Sequence, residues 1–191
     1  MSKISLQPNA SGTGTFTLAA PDSNTNRTLT LPDASGNIIA ADASTGQFDS
    51  SNMPAGSVIQ VVQAVKTDVF TATTSSFVGT GLSASITPSS ASNKILILFS
   101  THIDTRGSDD VAVTIFRGSQ NLGDSTWGFI RVNGGLSGRK IQTHSQTFLD
   151  SPSTTSSITY EIHAAGRNGD NNFIVPGGQD VATIQLMEIA G

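Results

Sequence analysis

The feature that most constrains this chain is a period of two. Every stretch long enough for a helix, about 11 residues with apolar positions at i, i+3, i+4 and i+7, is broken by Thr, Ser, Gly or Pro. Short runs instead alternate hydroxyl with apolar and stop at turn formers. Thr15-Phe16-Thr17-Leu18 lies between Gly14 and Pro21, and Thr28-Leu29-Thr30-Leu31 ends at Pro32. Successive side chains of a strand point to opposite faces, so each run puts its apolar groups on one side, and β-branched and aromatic residues favour that pleated surface. The expected fold class is all-β.

Composition narrows the function classes. Ten Lys plus Arg stand against fourteen Asp plus Glu, a net charge of −4, and only 13% of the 191 residues are charged. Ser and Thr supply about a quarter of the chain and Gly another 19 residues, so the polar surface is hydroxyl and backbone. With no basic excess, neither a phosphate backbone nor an anionic membrane surface has a partner here, and no nucleic acid is expected. Cysteine is absent, which removes disulfides, thiolate nucleophiles and Cys-ligated zinc. The longest apolar runs, such as Ile95 to Phe99, fall far short of the roughly 20 residues of a spanning helix. A soluble chain with no membrane insertion is expected.

The chain divides near residue 56. Residues 1–56 carry Pro8, Pro21, Pro32 and Pro54, Asn-rich turns, and only Phe16 and Phe48 as aromatics. Ordering a residue costs about 1 to 2 kcal/mol, and this segment has too few large apolar groups to offset that alone. It is expected to need partner chains. From residue 57 to 191 strand candidates follow one another: Val58 to Val65, Val69 to Ala72, Leu82 to Thr87, Lys94 to Ile103, Val111 to Arg117, Trp127 to Val132, Ile141 to Leu149, Ser157 to His163, Phe173 to Val175 and Val181 to Ile189. That spacing predicts an antiparallel β-sandwich head. Lys94 to Phe99 is apolar on both faces, as a middle strand covered on both sides would be. Val181 to Ile189 is too, with one face suited to its own core and the other to a neighbouring subunit.

Several segments resemble a known family. Gly14 to Pro21 followed by Asn24 to Gly36 is similar to a segment of tail-fibre and other appendage proteins of tailed bacteriophages, particularly marine and cyanophage-like ones. Met53-Pro54-Ala55-Gly56-Ser57-Val58-Ile59-Gln60-Val61-Val62, Thr80 to Pro88, Ser92 to Ile97 and Ile184-Gln185-Leu186-Met187-Glu188-Ile189-Ala190-Gly191 resemble a companion module of the same proteins. The resemblance implies a non-enzymatic virion protein, assembled in the bacterial cytoplasm as a homotrimer. A short N-terminal stem would dock to other virion proteins, with Phe16, Leu18, Leu29 and Leu31 as attachment candidates. A jelly-roll-like head would meet a host cell-surface glycan or protein receptor. The stem unit occurs once where tail fibres repeat shaft units, which leaves a capsid decoration or head fibre, or a small polysaccharide-degrading tail spike, as alternatives.

Residues that carry chemistry are sparse. His102, His144 and His163 sit in separate strands with no His-x-His spacing, so no metal is expected. Asp104, Asp109 and Asp110 flank Arg106-Gly-Ser, which reads as a solvated turn with a local ion pair rather than a calcium loop or a carboxylate pair. Gly-x-Ser-x-Gly does not occur, and Gly79-x-Gly81 lacks the rest of a phosphate fingerprint and reads as a turn. No catalytic residue and no cofactor are expected. Trp127, Tyr160, Asn121, Asp124, Arg167, Asn168 and Asp170 are the receptor-contact candidates, because sugar recognition pairs a flat ring with amides and carboxylates on loops of a rigid scaffold.

Overall fold

The structure, a computed structural model, describes residues 11–15, 24, 26, 53–106, 110–133, 139–167, 172–174 and 180–191. The chain divides into two compact units, Met1–Ile38 and Ile39–Gly191. In the first unit the described residues 11–15 are exposed, and the attachment candidates Phe16, Leu18, Leu29 and Leu31 lie outside the described residues.

The described residues of the second unit contain strands and no helix. The strands are β1 (Val58–Lys66), β2 (Thr71–Thr73), β3 (Val78–Ile86), β4 (Lys94–Arg106), β5 (Asp110–Arg117), β6 (Gln120–Asn121), β7 (Ile130–Asn133), β8 (Arg139–Asp150), β9 (Ile158–Gly166), β10 (Asn172–Ile174) and β11 (Ala182–Ile189). All their pairings are antiparallel. In the first sheet β11 lies between β1 and β4, β8 flanks the other side of β4, and β10 and β2 continue from the far end of β4. The second sheet runs β3-β9-β5, with β6 and β7 along the outer edge of β5.

The connectivity is nested: β1 pairs with β11, β2 with β10, β3 with β9, β4 with β8 and β5 with β7. A long hairpin folded across two sheets gives this order, which is the expected jelly-roll-like sandwich. The core is the set of inward positions at period two. Ile95, Ile97, Phe99, Ala182, Ile184 and Leu186 come from the first sheet, and Leu82, Val113, Ile115, Val132, Tyr160 and Ile162 from the second. Each large aliphatic group buried here contributes about 1.5 to 3 kcal/mol.

Two expectations change. The doubly covered strand is β5, whose residues Asp110 to Ile115 are all buried, because the segment after β6 folds back over its outer face. Glycine permits this approach. A Cβ on Gly128, at φ +63, would collide with the Val113 carbonyl oxygen and lie 2.7 Å from Thr114 Cβ. β4 is central, yet its outward Leu96 and Leu98 are only half-buried. Gly79-x-Gly81 is a bulge inside β3 rather than a turn. The register with β9 shifts between Gly79 and Ser83, Gly81 has φ +81, and its N–H donates to Glu161 Oε1 at 3.1 Å.

At the end where β1 begins and β11 finishes, a fully buried carboxylate ties together the segments around Gln60, Ser89, Asn93 and Gly191. Glu188 occupies a core-facing position and is fully buried. Gln60 Nε2 donates to it at 2.5 Å, Asn93 Nδ2 at 2.6 Å, and Ser89 through both N–H (2.6 Å) and Oγ (2.8 Å). Asn93 Oδ1 accepts from Gly191 N–H at 3.1 Å, and Gln60 also donates to the Thr87 carbonyl. Gly56 N–H donates to the Ala190 carbonyl, and Ala190 N–H to the Ser57 carbonyl. β4, β7 and β9 finish at the other end.

Burial raises the Glu188 carboxyl, but the donations from Asn93, Gln60 and Ser89 outweigh it and hold it below its ordinary value of 4.5. A carboxyl whose folded pKa is lowered contributes stability above its unfolded value, lost as pH falls through the folded one. Glu188→Gln turns an amide toward donors and should cost about 2 to 3 kcal/mol at neutral pH. In urea titrations the gap between wild type and variant should close as pH drops below 4.5.

Candidate recognition surface

The outer face of the second sheet gathers charges and aromatic rings. On β5 the outward positions are Asp110, Ala112, Thr114 and Phe116. They align with Arg131 on β7 and with Glu161, His163 and Ala165 on β9. Asp110 is 1% exposed, and its Oδ2 accepts from Arg131 Nε at 3.1 Å and Nη2 at 2.5 Å. Asp110 is therefore a buried carboxylate paired with a half-exposed arginine two strands along the chain, not part of a solvated turn. A carboxylate this deep is held because a charge partner and hydrogen bonds offset its desolvation. Asp104 is also buried, and Asp109 lies outside the described residues.

Trp127 is half-buried, and the Arg131 guanidinium stacks over its ring at 3.9 Å from the centroid, a cation–π contact. Asp124 builds the turn that presents it: Oδ1 accepts the N–H groups of Thr126 and Trp127, each at 2.8 Å. These two bonds, Trp127's first, and the nearby Arg167 charge hold the exposed Asp124 carboxyl below its ordinary value. Asn121 anchors the same segment. Its Oδ1 accepts from Thr114 Oγ1 at 2.6 Å and Gly123 N–H at 3.0 Å, and its Nδ2 donates to the Asp124 carbonyl at 3.2 Å.

Further along the face, Phe116 stacks on His163 with centroids 3.9 Å apart and meets Phe77 edge-on at 6.3 Å. Arg167 lies 4.7 Å over the Phe77 ring and donates to the Ser75 carbonyl. Burial holds the His163 imidazole below its ordinary value, against the pull of Glu161 at 3.6 Å. His163 thus sits on the opposite sheet from His102 and His144. Thr101 and His102 pair with His144 and Thr143, so the two histidines on β4 and β8 are on opposite faces. Among the described residues no three His, Cys, Asp or Glu side chains cluster to hold a metal ion.

The structure therefore brings Trp127, Asp124, Asn121 and Arg167 to one face, and adds Arg131, Phe116 and Phe77, which sequence reasoning did not single out, and His163, which it weighed only as a metal ligand. The Trp127-x-x-x-Arg131 spacing could have drawn attention to Arg131, but only the pairing of β5 with β7 sets it beside Asp110. Asn168 and Asp170 lie outside the described residues. Tyr160 is not a surface group: it is fully buried in the core, and its hydroxyl donates to Asp150 Oδ2 at 2.6 Å. Arg117 Nη1 in turn donates to both Asp150 oxygens, at 3.0 and 2.8 Å. Period-two alternation put Tyr160 beside Ile158 and Ile162, and its ring follows them inward. No protein-family model matches the chain, and no curated protein is significantly similar to it.

Two measurements test these contacts. Burial, then the Asp150 hydrogen bond and charge, push the Tyr160 phenol well above its ordinary 10.0, although Arg117 pulls the other way. The stability this carries is complete below pH 10.0 and is lost as pH climbs toward the folded value. Tyr160 is the only tyrosine, so phenolate absorbance in an alkaline titration should appear only together with unfolding. Arg131→Ala strands the Asp110 carboxylate and should cost about 2 to 3 kcal/mol. Adding Asp110→Asn should recover most of that loss, and emission from Trp127, the one tryptophan, should shift to the red in both variants.

Proposed function

We propose that this protein is a non-enzymatic virion attachment protein of the bacteriophage tail-fibre type, a homotrimer whose β-sandwich head contacts the host cell surface. The observation that carries this reading is the concentration of Trp127, Arg131, Asp124 and Arg167 on one sheet face. This face belongs to a sandwich otherwise poor in charge. A flat ring backed by a guanidinium, with a carboxylate and a second guanidinium at its rim, suits a polyhydroxylated surface ligand: rings pack on the apolar face of a sugar, and charged groups accept and donate to its hydroxyls.

The polarity of the fold supports the same reading. Residues 53–57 lead into β1 at the Glu188 end, whereas the charged and aromatic groups lie on the outer face of the second sheet, which leaves that face free for contact while the chain enters elsewhere. Of the segments that resemble the companion module, those around Gly56, Pro88, Asn93 and Gly191 meet at the Glu188 end, which fits a role in holding the head on its mount.

The test is binding of the full chain to purified bacterial surface polysaccharides, with the length of each polymer followed in parallel. Reversible binding without shortening, weakened about tenfold or more by Trp127→Ala (about 1.4 kcal/mol), is the expected outcome. Shortening of the polymer would replace this reading with a polysaccharide-degrading spike.

A further inference from the structure

The outer face of the first sheet differs in kind from that of the second. Its outward positions are Val61, Gln63 and Val65 on β1, Thr183, Gln185 and Met187 on β11, Leu96, Leu98 and Ser100 on β4, and Ile141, Thr143, Ser145, Thr147 and Leu149 on β8. None of them is charged. The exposed Lys94 stands at one end of the face, and at the other stand His102 with Asp180, 3.9 Å apart, and the buried Asp104 opposite Ile141. Polar groups within it satisfy one another as neutral pairs: Ser145 with Ser100 at 3.1 Å and Gln185 with Gln63 at 3.4 Å.

Large apolar groups stay uncovered at its margins, Val61 at 57%, Val65 at 54%, Ile141 at 48% and Leu149 at 47%. An uncharged apolar centre with charges confined to the rim is the anatomy of a subunit interface. β8 adds to this. Among the described strands it pairs only with β4, over twelve consecutive residues without a register shift, and no charged residue falls between Ile141 and Leu149. Long regular edges of this kind are normally blunted unless they are covered.

We infer that this face is the contact between copies of the chain, three of them arranged around an axis with the uncharged faces inward. This rests on the homotrimer in the reading above and specifies which surface makes it. The width of the sheet argues for three. Four strands about 4.8 Å apart span about 14 Å between their outer axes, or about 19 Å with half a spacing added at each edge, and an equilateral triangle of that larger side has each side about 5.5 Å from its centre. Packed sheets lie about 10 Å apart, so each stands about 5 Å from the midplane. Three such faces therefore close around a filled core. At each corner β8 of one copy approaches β1 of the next. Within a sheet β1 and β8 run in opposite directions, so the edges meet antiparallel, the pairing found throughout this fold. A face without charge brings no like charges together at the axis, whatever the angle between copies.

Native mass measurement of the full chain tests this, at micromolar concentration. Wild type should appear at three times 19.7 kDa. Gln185→Glu alters one surface amide and leaves the fold of a single chain undisturbed, but it would set three carboxylates near the axis; its mass should fall to that of one chain. Leu98→Glu should do the same, and circular dichroism shows whether it remains folded. Ser85→Glu, on exposed β3 of the other sheet, should leave the trimer intact. A trimer that survives Gln185→Glu and folded Leu98→Glu overturns the assigned face while leaving the trimeric attachment protein standing. A wild type that runs as one chain overturns both the face and the homotrimer.

Discussion

The fold turns on one carboxylate placed where an apolar side chain is expected. Glu188 continues the inward series Ala182, Ile184, Leu186 at the end of β11, and burial there is tolerable only because Gln60, Ser89 and Asn93 converge on it. Those donors come from the first strand and from the connection between β3 and β4, so a single buried charge sets the register of segments distant in the chain. If any donor is absent, the charge stays buried without full compensation. The same cost makes the site specific, because no slipped register satisfies the carboxylate.

A second consequence comes from how little charge the chain has. The few ionised groups are not spread evenly over the sandwich. One outer face gathers Asp110, Arg131, Asp124, Glu161 and Arg167 around three aromatic rings and a histidine, and the other has none between its rims among the described residues. A surface built mostly of hydroxyls and amides can be stacked against copies of itself without like-charge repulsion. Low overall charge thus leaves the two outer faces of one sandwich chemically unlike.

Much of the architecture was legible in the residues. Alternation located the strands, with β6 the one not anticipated, since two residues between turns carry no periodic signal. The inward set Ile158, Tyr160, Ile162 and the alternation of Val111, Val113 and Ile115 also come from period two. The candidate face was only partly legible. Trp127, Asn121, Asp124 and Arg167 stood out as residue types, but a loop aromatic does not reveal that an arginine four residues later covers its ring. Tyr160 looked like a contact residue because sugar recognition uses flat rings, and it is buried because its hydroxyl finds Asp150, itself held by Arg117.

By itself the sequence determined local conformation, because side-chain periodicity and turn chemistry act between near neighbours. It determined the all-β class, the inward faces and the scarcity of charge. Pairing was decided only by the tertiary structure. The nested order that joins β1 to β11 and β5 to β7 depends on contacts between distant segments, and these form only when both sheets close over one core. Closure buries the Glu188 and Asp110 carboxylates against partners that reach them from nearer the surface, and it separates the uncharged face from the charged one.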